Sequence, residues 1–216
     1  MTRELPSFLV DRDAPPVVAA PAPGGVAGPP RASVPGVPGE PGLWIFLLVD
    51  MTIFAVFFGA FLVGRADEPA VFAEGRTHLS VALGTANTLV LLASSLVMAL
   101  AVRAHRAGDA PRARRLIATV LLGGLLFVAF KAIEWQALLG DGHPPASSSF
   151  FTYYFAITGV HLLHLVAGAV VLLVVRARVG AGAASRGLVE GGASYWHMVD
   201  LLWLVIYPVV YFAGAT

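Results

Sequence analysis

The sequence predicts an all-α polytopic membrane protein: a bundle of five transmembrane helices, N-terminus in the cytoplasm and C-terminus outside. Three observations lead there. Five apolar segments, at about 43–63, 77–102, 116–139, 150–175 and 194–213, each reach the roughly 20 residues that a spanning helix needs. Of all 216 residues, 57% are hydrophobic and only 12% charged, about half the charged share of an ordinary soluble domain. The basic residues alternate in sidedness. Eleven arginines fall in the leading segment, the second loop and the fourth loop, against only Arg65 and Arg76 in the first loop and none in the third or after the last segment. The side richer in arginine is the cytoplasmic one.

Residues 1–42 hold ten of the fifteen prolines and six glycines, in runs such as APAPGGVAGPP. Such a stretch buries too little apolar area to offset its ordering entropy and reads as a disordered cytoplasmic tail ahead of a 43–213 membrane domain. The opening MTRELPSFLVDRDAPP has no apolar run suited to a cleavable signal, so the first spanning helix is expected to serve as its own insertion signal. The chain has no cysteine, which removes disulfides, thiolate-bound zinc, iron–sulfur clusters and cysteine-based copper sites. A net charge of +1, with no basic cluster interleaved with aromatics, gives no reason to expect a nucleic-acid partner.

The first segment places Asp50 about 10 Å from its cytoplasmic end, on a face shared with Phe46, Phe54, Phe57 and Phe61. An ionised carboxylate there is expensive, so Asp50 must be protonated, paired or beside water. The second segment aligns Gly84, Asn87, Leu91, Ser94 and Met98, a stripe of small and amide groups suited to close helix packing. In the third, Lys131 and Glu134 are three residues apart and share a face with Gly124 and Phe127. An intrahelical ion pair is the cheapest way to keep both charges in the membrane; a proton-handling carboxylate is the sharper alternative.

The fourth segment carries His161 and His164 on one face, with Phe150, Tyr153, Ile157 and Gly168 near the same stripe. Two ligands on one helix could begin a metal site, but HLLH lacks the glutamate of a zinc-protease helix. A bis-histidine haem takes its ligands from opposite sides of the porphyrin. Neutral histidines that hydrogen-bond across helices are the plainer reading. The last segment, YWHMVDLLWLVIYPVVYF, gathers Trp196, His197, Asp200, Trp203, Tyr207 and Tyr211 within about one third of the circumference. Leu201, Leu202, Val205, Ile206 and Val209 face the other way, so one face is expected to meet lipid and the other protein.

By depth the polar residues form two strata. Asp50, His164, His197 and Asp200 lie toward the cytoplasm; Lys131, Glu134 and His161 lie from the middle outward. Each layer contains groups able to pair, as a bundle interior requires. Seven ionisable residues inside apolar segments also admit an independent proton channel or transporter.

Several stretches carry a resemblance. YWHMVDLLWLVIY is similar to the closing YWHFVDxxWLxxY pattern of subunit III of the haem-copper terminal oxidases. FFTYYFAITGVHLLHLVAG resembles that family's FFxxTGxHGxHVxxG helix, with Leu163 where glycine is usual. FVAFKAIEW, LWIFLLVDMTIFAVFFGAF and NTLVLLASS resemble three further helices, Asp50 standing where glutamate is more common. The likeness covers about residues 40–214. It implies a non-catalytic subunit of a cytochrome c oxidase-type complex in a bacterial-type plasma membrane, one that supports assembly, lipid binding and proton uptake. Haem and copper would sit in the partners, catalytic subunit I and subunit II, with membrane phospholipid as a further partner and no cofactor on this chain. Asp50, Lys131, Glu134, His161, His164, His197, Asp200 and Trp203 match intramembrane polar positions, with roles in packing, lipid contact or proton supply; no residue is implied to be catalytic or to bind metal. Larger members have seven helices, and Asp50 followed by MTIFAVFFGAF looks closer to short members associated with nitric-oxide reductases.

Overall fold

The structure, a computed structural model, describes residues 41–212. The proline-rich stretch expected to be a disordered tail lies outside the described residues, except for Pro41 and Gly42, which open the first helix. Six helices follow in order: α1 (Pro41–Asp67), α2 (Pro69–Thr77), α3 (Val81–Arg106), α4 (Ala110–Gly140), α5 (Ser149–Gly180) and α6 (Arg186–Tyr211). All but α2 are long and apolar enough to cross a membrane.

The helices outrun the apolar stretches that announce them, because hydropathy marks the hydrocarbon thickness while the hydrogen-bond ladder continues to its caps. Four N-termini are closed by a side chain accepting from the amide three residues on: Ser80 from Leu83 (3.3 Å), Asp109 from Arg112 (3.0 Å), Ser148 from Phe151 (3.3 Å) and Ser185 from Leu188 (3.2 Å). Three C-termini end on a left-handed glycine: Gly108 (φ 80°), Gly142 (φ 82°) and Gly182 (φ 67°). In each, the amide after the glycine reaches back into the last turn, as from Asp109 to the Ala104 carbonyl at 3.0 Å and from His143 to that of Leu138 at 2.9 Å. The Ser185 cap also starts α6 eight residues before the expected Ser194. The pair Gly191–Gly192 argues against helix locally, but Gly192 is where Val175 of α5 comes closest: a Cβ there would meet its side chain at 3.0 Å. Packing overrides propensity.

The short helix α2 was not anticipated. Pro69 sits in its first turn, where a missing amide hydrogen costs nothing, and Phe72 turns inward to an edge-on contact with Phe61 of α1 (5.1 Å) and with Phe150 of α5 (5.6 Å). Gly75 of α2 lies so close to the Phe150 ring that any side chain would collide with it. α2 thus packs against α5 as well as α1. α1 packs on α5, α6 and α2, while α3 pairs with α4 and α6. The first two spans, α1 and α3, are thus consecutive in sequence without being close neighbours in space.

α6 occupies the centre, in contact with α1, α3 and α5. Trp196, Val199, Trp203 and Ile206 have no measurable exposure, and Leu202 is also buried. Of the residues predicted to face lipid, Leu201 and Val205 are exposed and Val209 is half-buried, while Leu202 and Ile206 are buried because helices cover α6 on more than its aromatic face; Leu204 joins the exposed side. Trp196 is held by three other helices: its indole nitrogen donates to Ser94 Oγ of α3 (3.1 Å), and its ring lies against Gly124 of α4 and Gly168 of α5.

Candidate functional site

The intramembrane polar residues resolve into three clusters and one solitary histidine. The densest is built on α4. Three-residue spacing carries Lys131 and Glu134 to the same buried face, and Lys131 Nζ lies 2.6 Å from Glu134 Oε2. Two phenols complete the shell. Tyr154 of α5 donates to Glu134 Oε2 at 2.8 Å, and the Tyr211 hydroxyl of α6 lies 2.8 and 2.7 Å from the two carboxylate oxygens. Lys131 also donates to Tyr211 at 3.0 Å and sits 4.7 Å from the centre of the Trp203 ring. A buried pair survives only if its remaining polar capacity is met, and here hydroxyls and a ring face meet it. Tyr154 was missed by sequence reasoning, which placed only Tyr153 near the functional stripe; Tyr211 was on the expected face of α6 without an assigned partner.

The second cluster joins α1 to α5. His164 Nε2 lies 2.8 Å from Asp50 Oδ1. Its Nδ1 is 2.7 Å from the carbonyl of Val160, four residues earlier on the same helix. A carbonyl can only accept, so Nδ1 carries hydrogen and Nε2 is the nitrogen that faces Asp50. The contact gives a carboxyl group inside the membrane the partner it needs. Phe54 closes on the imidazole at 5.4 Å, and Tyr195 of α6 donates to the His164 carbonyl at 3.3 Å. Phe54 and Phe61 are buried with Asp50, whereas Phe46, expected on the same stripe, is half exposed and stacks on Tyr195.

The third cluster is a polar seam between α3 and α6. His197 Nδ1 and Ser95 Oγ are 2.6 Å apart. Trp203 donates to Thr88 Oγ1 at 3.0 Å, and Thr85 and Tyr207 share a 2.6 Å hydrogen bond. The α3 hydroxyls were not singled out beforehand, apart from Ser94; their recurrence in TANTLVLLASS was the available signal. Asp200 lies one turn from His197, buried with its carboxylate beside the Ser95 hydroxyl.

His161 stands apart. It is fully buried between Phe127 (5.5 Å) and Trp203 (5.3 Å), and neither ring nitrogen has a hydrogen-bond partner among the described residues. The predicted interhelical hydrogen bond from this histidine is therefore not formed. The stratum expected toward the cytoplasm also divides: Asp50 takes His164, while His197 goes to α3.

These side chains do not fit a haem or copper centre. His161 and His164 project from one helix, His164 is committed to Asp50 and Val160, and His161 is clamped by aromatic rings. Among the described residues, no three of His, Asp and Glu converge as a ligand set. What the arrangement does is tie α1 to α5, α3 to α6, and α4 to α5 and α6.

Comparison with known proteins accords with this. The family model described as cytochrome c oxidase subunit III matches residues 39–215. A probable cytochrome c oxidase subunit 3 of Nocardia farcinica is 32% identical over 174 residues, covering 79% of this chain and 86% of the relative. Subunit 3 of a cytochrome bo(3) ubiquinol oxidase of Pseudomonas aeruginosa is 28% identical over 181 residues, 81% of this chain and 84% of the relative. Cytochrome c oxidase subunit 3 of Corynebacterium diphtheriae is 29% identical over 176 residues, with coverage of 79% and 86%. With its five spans and its interior polar ties, the chain belongs to the cytochrome c oxidase subunit III family, the non-catalytic third subunit of haem-copper oxidases.

Proposed function

We propose that this chain is the accessory third subunit of a cytochrome c oxidase-type complex in a bacterial plasma membrane, docked against the haem-copper subunit I and assembled with subunit II. The observation that carries the reading is the family match across all five spans, joined to an interior whose ionisable groups are mostly spent on one another. Haem and copper belong to the partners. The chain contributes assembly, phospholipid binding and support of proton uptake, with its arginine-rich loops and N-terminus in the cytoplasm and its C-terminus outside. Asp50, Lys131, Glu134, His161, His164, His197, Asp200 and Trp203 act in it through packing, lipid contact or proton supply.

A mild-detergent pull-down of the tagged chain, followed by an optical spectrum, tests this. Haem absorbance together with a large polytopic partner is the expected result; a colourless chain purifying alone would overturn it. A second reading, an accessory subunit of a nitric oxide reductase, rests on Asp50 in the position more often held by glutamate. Oxygen and nitric oxide consumption by the captured complex separates the two.

A further inference from the structure

The N-terminal end of α4 and the C-terminal end of α5 enclose a groove of about 520 Å³, lined by Pro111, Arg114, Arg115, Ala118, Thr119 and Arg176. Three arginines from two helices thus face one space, and among the described residues none of them forms an ion pair with a carboxylate. Arg114 extends across to α5: a Cβ on Gly180 would lie 3.3 Å from its Nε. Among the described residues, Arg176 Nε is buried with no hydrogen-bond partner. The nearby acid, Asp109, is spent on capping α4 through the Arg112 amide at 3.0 Å. Convergent guanidinium groups lacking a counter-charge match a phosphate.

The apolar surface below the arginines points to the phosphate's source. Thr119, Leu122 and Leu126 continue the Arg115 stripe along α4 toward the membrane centre, and both leucines are exposed, at 64% and 41%. A site that is cationic at the interface and apolar below is amphiphilic in the same sense as a phospholipid. We infer that this groove binds an anionic membrane phospholipid, its phosphate among Arg114, Arg115 and Arg176 and its acyl chains along Leu122 and Leu126. The inference rests on the reading that the arginine-rich end of the bundle meets a phospholipid leaflet.

The test is lipid titration of the full-length, delipidated chain in neutral detergent, read by native mass spectrometry. The probes are phosphatidylglycerol and phosphatidylcholine with identical acyl chains. The unaltered chain should prefer phosphatidylglycerol, and the preference should fall about fivefold for each arginine removed in Arg115→Gln and Arg176→Gln. Arg176→Lys should retain most of it, and Arg112→Gln, which lies outside the groove, should leave it unchanged. Equal loss in Arg112→Gln would mean diffuse surface charge and overturn the site. So would an undiminished preference in the double variant, or displacement by inorganic phosphate at equal concentration, which would make free phosphate the ligand. Failure of the same preparation to capture oxidase subunits would count against the assigned function, while selective lipid binding would still support the groove.

Discussion

Asp50 of α1 and His164 of α5 meet at 2.8 Å, and among the described residues theirs is the one ion pair that holds α1 to the rest of the bundle. The imidazole is oriented by its own helix, through Nδ1 to the Val160 carbonyl, so the partner facing Nε2 decides how firmly α1 is held.

Asp50→Ala leaves that nitrogen without a partner and should lower stability by about 2 kcal/mol. Asp50→Asn can still donate an amide hydrogen to a neutral Nε2 and should lose less than half as much. Thermal unfolding in detergent distinguishes the two; equal losses would mean that the pair does not fix α1.

Lys131 and Glu134 should behave as a unit. Removing one partner by Lys131→Met strands a buried carboxylate and should cost about 3–5 kcal/mol. The double variant Lys131→Met/Glu134→Gln should recover most of that, because the amide still accepts from Tyr154 and Tyr211. A double-mutant cycle showing additive losses would refute the coupling.

The indole of Trp196 leaves no room at Gly124. A Cβ there would come within 2.8 Å of the far edge of a ring that has no exposure. Gly124→Ala should therefore cost about 1–3 kcal/mol by overpacking, seen as reduced thermal stability, whereas Gly59→Ala, with nothing within 4 Å of the added carbon, should be near neutral. Equal effects would show that α4 and α6 are not in close contact at this point.

His161 and His164 occupy one helix face and should nevertheless respond in opposite ways. His161 has no hydrogen bond among the described residues and aromatic neighbours on two sides. His161→Phe should change stability by less than about 1 kcal/mol, because an unsatisfied polar group is replaced by an apolar one. His164→Phe orphans Asp50 and should be severely destabilising. A strong loss in His161→Phe would point to a partner for its ring nitrogens.

Depth and helical phase are one-dimensional, and the sequence carries both. Spacing of three placed Lys131 beside Glu134, and the buried stripe Gly84, Asn87, Leu91, Ser94 and Met98 of α3 follows the predicted period. Equal depth put Asp50 within reach of His164. Hydropathy located five spans, and the motifs around His197 and Asp200 pointed to the family.

Which helix stands beside which could not be read that way. The choice of His164 rather than His197 for Asp50, the central place of α6, and the closing of Glu134 by Tyr154 and Tyr211 depend on azimuth between helices. Azimuth is set where a large ring meets a glycine, as Trp196 does at Gly124 and Gly168. Such complementarity pairs residues 28 and 72 positions apart in sequence, so neither helical period nor local propensity encodes it. The sequence by itself determined a bundle of membrane-spanning helices and the helical phase of its polar groups; only tertiary packing decided which of those groups touch.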